Sequence, residues 1–313
     1  MFTLRRILKL ERKMSKLWFQ RILVPLDGST AAEKAIPVAE RIARASGGKI
    51  ELLAVSNIPA NPSNLQDVFA IKLKMETEKE QIDRLIRALQ QDSIPVERVE
   101  KLPGTTDEQI LETAAWAAAD IIVLCVHKYT EPEDSLLKDV AQEIERRSSQ
   151  PLLLLHEENP TQLTAKQRLR ALVTLDPNET SPPVGTFLVP AMRLVATLNA
   201  PDQGTLHLFG VLREEQALDE ARIRFKDLAN SLNSGAEVLP TVQFTSSVVT
   251  SRDVAEAIVK AAQSGEGTGM PEGFDLIAMA THGRAGLQHV FRGSVTEHVL
   301  GATQLPIFIV HHP

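Results

Sequence analysis

The chain carries one pattern twice. The segment DIIVLCVHKYTEPEDSLLKDVAQEIERRSSQPLLLLH, from Asp120, lies over DLIAMATHGRAGLQHVFRGSVTEHVLGATQLPIFIVH, from Asp275, without a gap. Asp120 meets Asp275, His127 meets His282, Val140 meets Val295 and Pro151 meets Pro306, every pair 155 residues apart. Upstream, ILVPLD (Ile22 to Asp27) lies over ALVTLD (Ala171 to Asp176) at a spacing of 149. A repeat of this length is a whole folding unit, so the 313 residues are expected to build two similar cores. The mismatch of about six residues between the two spacings places an insertion in the second copy, and the glycine-rich Ser264 to Gly273 is its candidate. That stretch lacks GxGxxG spacing and precedes an apolar run instead of opening a helix. It therefore reads as a flexible surface insertion and not as a phosphate loop.

Within each copy, short apolar runs alternate with longer amphipathic stretches. The runs are RILVPL, KIELLAV, PVERVEKL, DIIVLCV and PLLLLH in the first copy, and ALVTL, TLHLFGV, EVLPTVQF, DLIAMA and PIFIV in the second. Helices are expected over 31–45, 65–91, 107–118 and 137–147, and again over 183–198, 214–232, 253–262 and 294–302. Runs that are apolar on both faces and joined by helices mean parallel strands covered on both sides. The expected fold class is α/β: two tandem, doubly wound, five-stranded parallel sheets of the Rossmann-like kind. Ser29 or Thr30, Asp107 and Asp253 are candidate helix N-caps, and Pro182 and Pro183 suit a first turn. The polar, proline-bearing stretch His156 to Gln167 is the expected linker. The division is then an extension over 1–18, a first domain over 19–157 and a second over 168–313.

Composition narrows the partners. A net charge of -6 and 4% aromatic residues give neither the basic footprint nor the stacking surface of a nucleic-acid binder. No apolar run reaches the length of a membrane span. The one cysteine, Cys125, sits in IIVLCV and reads as a buried small residue, in keeping with a reducing, cytoplasmic setting. The basic, amphipathic start MFTLRRILKLERKM lacks the apolar length and cleavage site of a secretory signal. The terminal His311 and His312 have no companion cluster at metal-ligand spacing.

In an open parallel sheet the ligand crevice lies beyond the carboxyl ends of the strands, where the direction of strand addition reverses. In the second copy Asp176 follows strand one, Thr281-His282-Gly283 follows strand four, and Gly293-Ser294 opens the last helix. Glycines let main-chain amides approach a bulky anion, and the free amides at a helix start favour phosphate. Ser294 and Thr296 add hydroxyl donors. A carboxylate on the opposite rim suits a ribose hydroxyl or an adenine amine, although Asp176 is equally suited to capping the turn that Pro177 and Asn178 begin. His282 is either a rim residue that touches phosphates or an ordinary loop histidine.

These residues resemble the universal stress protein family. VPLDGS before a helix, and MATHGRAGL with a later GS at a helix start and a final strand, carry the resemblance from about Phe19 to the end, as a tandem pair. It implies the adenine nucleotide alpha hydrolase-like form of the sheet. It also implies an ATP-binding loop of the pattern Gly-x-x-Gly, nine residues, then Gly-Ser or Gly-Thr. Gly283, Gly293 and Ser294 match that pattern. Ala280 stands where the first glycine belongs, a change that costs roughly 1 kcal/mol only if the position needs a positive φ. The implied nucleotide contacts are Thr174, Asp176, Val211, Met279, Ala280, His282, Gly283, Gly293, Ser294, Val295 and Thr296, with Val211 and Met279 beside the base. The ligand is ATP, with AMP or ADP as alternatives and magnesium accompanying ATP.

The first copy retains Asp27-Gly28-Ser29 after strand one, but Lys128, Lys138 and Asp139 replace Gly283, Gly293 and Ser294. A carboxylate about 4 Å from a phosphate charge costs on the order of 4 kcal/mol at an effective dielectric near 20. That copy is expected to be mainly structural. The charged stretch Lys72 to Arg87 reads as a solvated face, with a groove cover or a partner dock as alternatives. The last strand of each copy is expected at a sheet edge, where the two can pair with each other within the chain, as the single-domain relatives do on dimerising. Homo-oligomers and an unknown protein partner stay open. The function expected is a nucleotide-responsive stress module and not an enzyme; the alternatives are a nucleotide-free interaction protein or a slow ATPase, there being no Walker lysine motif.

Overall fold

A computed structural model describes residues 18–55, 65–99, 104–126, 136–158, 162–165, 168–178, 187–199, 203–234, 242–282 and 294–312. The chain divides into two compact units, Phe19–Pro160 and Thr161–Pro313, and Trp18 groups with the second.

The first unit begins with β1 (Arg21–Leu26) and two short helices, α1 (Thr30–Glu33) and α2 (Ile36–Ser46). There follow β2 (Lys49–Ala54), α3 (Leu65–Gln91), β3 (Val96–Val99), α4 (Thr106–Trp116), β4 (Ile121–Val126), α5 (Leu136–Arg147) and β5 (Leu152–His156). All its strands pair in parallel, in the order β3-β2-β1-β4-β5. The second unit contains α6 (Gln162–Ala165), β6 (Arg170–Leu175), α7 (Val189–Asn199), β7 (Gly204–Leu212) and α8 (Leu218–Ser234). It continues with β8 (Val242–Thr250), α9 (Val254–Ser264), β9 (Leu276–His282), α10 (Ser294–Ala302) and β10 (Ile307–His312). Its parallel order is β10-β9-β6-β7-β8. The central strands are buried along almost their whole length, which is why they read as unbroken apolar runs.

The repeated aspartates that open the long match have a structural task. Asp120 Oδ2 accepts from the Arg21 amide at 3.0 Å, and Asp275 Oδ2 accepts from the Arg170 amide at 2.9 Å. Each fastens the start of strand four to the start of strand one and so sets their register.

Several expectations need correction. The first helix is interrupted at Lys34-Ala35, with Pro37 in the opening turn of α2. Ser29 caps α1 and Asp253 caps α9, but α4 is capped at Thr105, whose amide donates to Glu108 Oε2 at 3.0 Å; Asp107 lies in the first turn. The third strand of the second unit is Val242–Thr250, later than EVLPTVQF. Pro182 and Pro183 lie outside the described residues.

The insertion does fall between α9 and β9, where residues 265–275 stand against 117–120 in the first unit. It is a built turn, not a loose one. Gly265, Gly267 and Gly269 have φ of 76, 74 and 73°, a region that favours glycine. The buried Thr268 donates its hydroxyl to the Gly265 carbonyl at 2.6 Å, and a Cβ on Gly273 would lie 2.2 Å from the Gln263 carbonyl oxygen.

The two copies place different buried titratable groups at one position. Register pairs Leu23 with Glu51 in one unit and Leu172 with His207 in the other. Glu51 and His207 are each 1% exposed. The ring of His207 meets Thr245 Oγ1 and Ser247 Oγ at 2.8 Å each, and burial pushes its pKa down to about 4. Folding therefore favours the neutral ring. The stability this confers is complete above the ordinary histidine value of 6.5 and is lost as pH falls from there toward 4, at about 1.4 kcal/mol per pH unit. Denaturant titrations at a series of pH values should give a slope in the native chain that is steeper than that of His207→Gln by up to about this amount. Equal slopes would contradict it.

Candidate functional site

The site is made by strands that part. In the second unit β6 and β9 pair only over Ala171–Val173 and Leu276–Ala278. Beyond that point β6 stays with β7 as far as Leu175 opposite Gly210, and β9 stays with β10 as far as His282 opposite His312. A crevice thus opens at the carboxyl end of the sheet where strand order reverses. At its root the Thr174 hydroxyl donates across the gap to the Ala278 carbonyl at 3.4 Å.

Of the residues expected there, Thr174 is half-buried and Asp176 is exposed at the end of β6. Met279 and Val211 are buried near the ends of β9 and β7, and Ala280 is half-buried beside them in sequence. Ala280 lies in extended strand, paired with Val310, and is not among the residues of positive φ, so the methyl that replaces the family's glycine carries no backbone penalty. His282 is the last residue of β9 and Ser294 the first of α10, with Val295 and Thr296 half-buried in its opening turn. Gly283 and Gly293 lie outside the described residues.

Of the two roles the sequence left open to Asp176, the structure shows the capping of the turn. Its Oδ1 accepts from the Asn178 amide at 2.8 Å and from Asn178 Nδ2 at 3.0 Å, which forms the turn. Its Oδ2 has no hydrogen-bond partner among the described residues. Two features that sequence reasoning missed hold this rim in place. Arg224 of α8 donates to the Pro177 carbonyl at 2.6 Å, and Gly210 leaves room for the Pro177 ring.

The first unit has the same parting of strands, with β1 and β4 paired only at Ile22–Leu23 and Ile121–Ile122. Its crevice is furnished differently. Asp27 Oδ1 accepts from both the amide and the hydroxyl of Ser29, at 3.0 and 2.6 Å, and Ser29 in turn accepts from the Ala32 amide. Lys34 Nζ bonds Glu157 Oε1 at 2.8 Å and approaches the Glu157 carbonyl at 3.3 Å. Cys125 takes the place of Ala280, and burial pushes its thiol up to about 12, with Lys34, Glu157 and Asp27 as its charged neighbours. An ion pair therefore stands near Cys125 at the end of β4, the counterpart of the second copy's alanine.

Helix α3 is more than a solvated face. Gln81 and Arg84 donate to Glu33 of α1, Ile82, Leu85 and Leu89 are buried, and Gln81 Oε1 lies 3.9 Å from where a Cβ on Gly28 would be. Lys128 is outside the described residues, as are the side chains of Lys138 and Asp139. No helix among the described residues is long and apolar enough to cross a membrane.

Comparison with known proteins follows the same division. The model of the universal stress protein family matches residues 19–156 and 190–311. A universal stress protein from Archaeoglobus fulgidus DSM 4304 is similar with a TM-score of 0.66 at 15% identity, covering 94% of this chain and 99% of that one. A putative universal stress protein from Pseudomonas aeruginosa UCBPP-PA14 gives 0.62 at 15% identity, covering 95% of each chain. The cytoplasmic domain of a prokaryotic cation chloride cotransporter gives 0.53 at 14% identity, covering 94% of this chain and 95% of that one. At such identities these likenesses speak for the fold alone. No curated protein matches the sequence significantly. The two matched segments cover most of the chain, each on one of the repeated sheets, and the chain accordingly belongs to the universal stress protein family.

Proposed function

We propose that the crevice of the second copy binds an adenine nucleotide, ATP foremost with AMP or ADP as alternatives, and that the chain is a nucleotide-responsive regulatory module of the stress response. The contrast between the two copies supports this most. In each crevice the aspartate after the first strand keeps one oxygen without a partner among the described residues, but the first copy adds the Lys34–Glu157 ion pair near Cys125, the counterpart of Ala280. Thr174 and Asp176 then meet the ribose, Met279 and Val211 the base, and the start of α10 at Ser294, with Gly283 and Gly293, the phosphates. Occupancy changes the surface presented to a protein partner, so the nucleotide acts as a signal and not as fuel.

Native mass spectrometry of the purified chain should show an adenine nucleotide carried along. Asp176→Ala should weaken ATP binding roughly tenfold or more, the worth of a charged hydrogen bond. A chain free of nucleotide, whose ATP affinity is indifferent to that substitution, would refute the assignment.

A further inference from the structure

The second unit has a cavity at the opposite pole, among the amino ends of β6, β7 and β8. It measures about 410 Å³ and is lined by Arg168, Arg170, Gln203, Thr205, Gln243 and Glu272, with main chain at Leu169 and Gly204. That volume is within the range of about 300–1,000 Å³ typical of small-molecule sites, but the lining is polar.

The first copy explains why the space exists. Register makes Arg21 the equivalent of Arg170, Lys49 of Thr205, Glu51 of His207 and Glu97 of Thr245. At the pole of the first unit Lys49 bridges Glu51, at 2.9 Å, and Glu97. Arg21 is near enough to stabilise both carboxylates, and its guanidinium also donates to the Ala117 carbonyl at the end of α4. Cations and carboxylates there are supplied by the chain itself.

In the second unit every one of those partners has changed. Thr205, His207 and Thr245 bring no carboxylate, and the shorter Thr205 vacates the volume of a lysine. The insertion removes the remaining partner: the carbonyl of Gly265, which caps α9 as Ala117 caps α4, accepts from the amide and hydroxyl of Thr268. Arg170 is left with Glu272, at 2.9 Å, whose side chain is 73% exposed. Arg168, two residues before β6, has no ion-pair or hydrogen-bond partner among the described residues. Two guanidiniums thus line a polar cavity that also holds the exposed carboxylate of Glu272, where the sister unit has the carboxylates of Glu51 and Glu97 bridged by Lys49.

We propose that this cavity is a binding site for a small polycarboxylate anion, whose carboxylates replace those of Glu51 and Glu97. Arg168 and Arg170 hold the carboxylates as planar forks. Gln203, Gln243 and Thr205 offer amide and hydroxyl groups to the ligand's remaining polar atoms. The site is independent of the nucleotide crevice, which lies at the other end of the same strands.

Isothermal titration of the full chain with citrate and with succinate tests this. Saturable binding is expected, weakened roughly tenfold or more by Arg168→Ala and by Arg170→Ala, abolished by Gln243→Glu, and unchanged by Asp176→Ala. Because Arg168 is exposed and unpaired, Arg168→Ala leaves the fold intact, and its loss of binding reads as a lost contact. The proposal is overturned by absence of saturation at millimolar concentrations of both anions. It is equally overturned by binding that survives the double arginine variant, or by inorganic phosphate binding more tightly than either carboxylate.

Discussion

Replacing Gly210 by valine is expected to damage the stability of the second unit and its nucleotide site together. Gly210 is opposite Leu175 at the end of β7 and is fully enclosed. A Cβ there would lie 2.7 Å from Pro177 Cγ and 2.8 Å from Phe225 Cζ, so both rings must move. Overpacking of this kind costs typically about 1–3 kcal/mol. For a unit of this size that is a fall in melting temperature of about 2–4 °C for each kcal/mol. Pro177 cannot move alone: it follows Asp176 directly, and its carbonyl is held by Arg224. The carboxylate is displaced with it, and ATP affinity falls beyond what the lost stability explains. Differential scanning calorimetry and ATP titration on one preparation separate the two effects. An unchanged melting temperature would mean that the rings part freely, and unchanged affinity in a destabilised variant would mean that Asp176 is not held by this packing.

Much of this architecture was legible because buried parallel strands are apolar on both faces and because the repeat exposes their boundaries twice. The failures have local causes. The apolar run EVLPTVQF suggests the third strand of the second unit, yet β8 runs through Thr245, Ser246 and Ser247, all half-buried. Two of these polar residues serve the buried His207 on the neighbouring strand, a pairing that no single-strand pattern reveals. The break at Lys34-Ala35 was hidden inside a helical periodicity. The glycines of the insertion suggest slack because glycine permits both disorder and left-handed turns, and only the contacts of Thr268 and Gly273 decide between them. At the site, Asp176 and the start of α10 were readable from motif spacing. The Lys34–Glu157 pair was not, because its members are far apart in sequence and neither belongs to a motif.

The second large effect is expected at Gly293. The nucleotide reading needs main-chain amides next to the phosphates at the entrance to α10, and a tryptophan at position 293 would put an indole in their place. Gly293→Trp should reduce ATP affinity by roughly a hundredfold or more, equivalent to losing two or more charged hydrogen bonds. Because position 293 precedes the helix that begins at Ser294, the fold should persist, with the far-ultraviolet circular dichroism and melting temperature of the native chain. Retained affinity in the folded variant would remove the phosphates from that helix start.

The claim that binds these points together is that the second copy's crevice takes a nucleotide while the first copy's, which carries the Lys34–Glu157 ion pair, does not. Calorimetric titration of the intact chain with ATP reads this directly as a stoichiometry. One nucleotide per chain, lost in Asp176→Ala and retained in Asp27→Ala, is the predicted result. Two nucleotides per chain, or a single one that depends on Asp27, would contradict it.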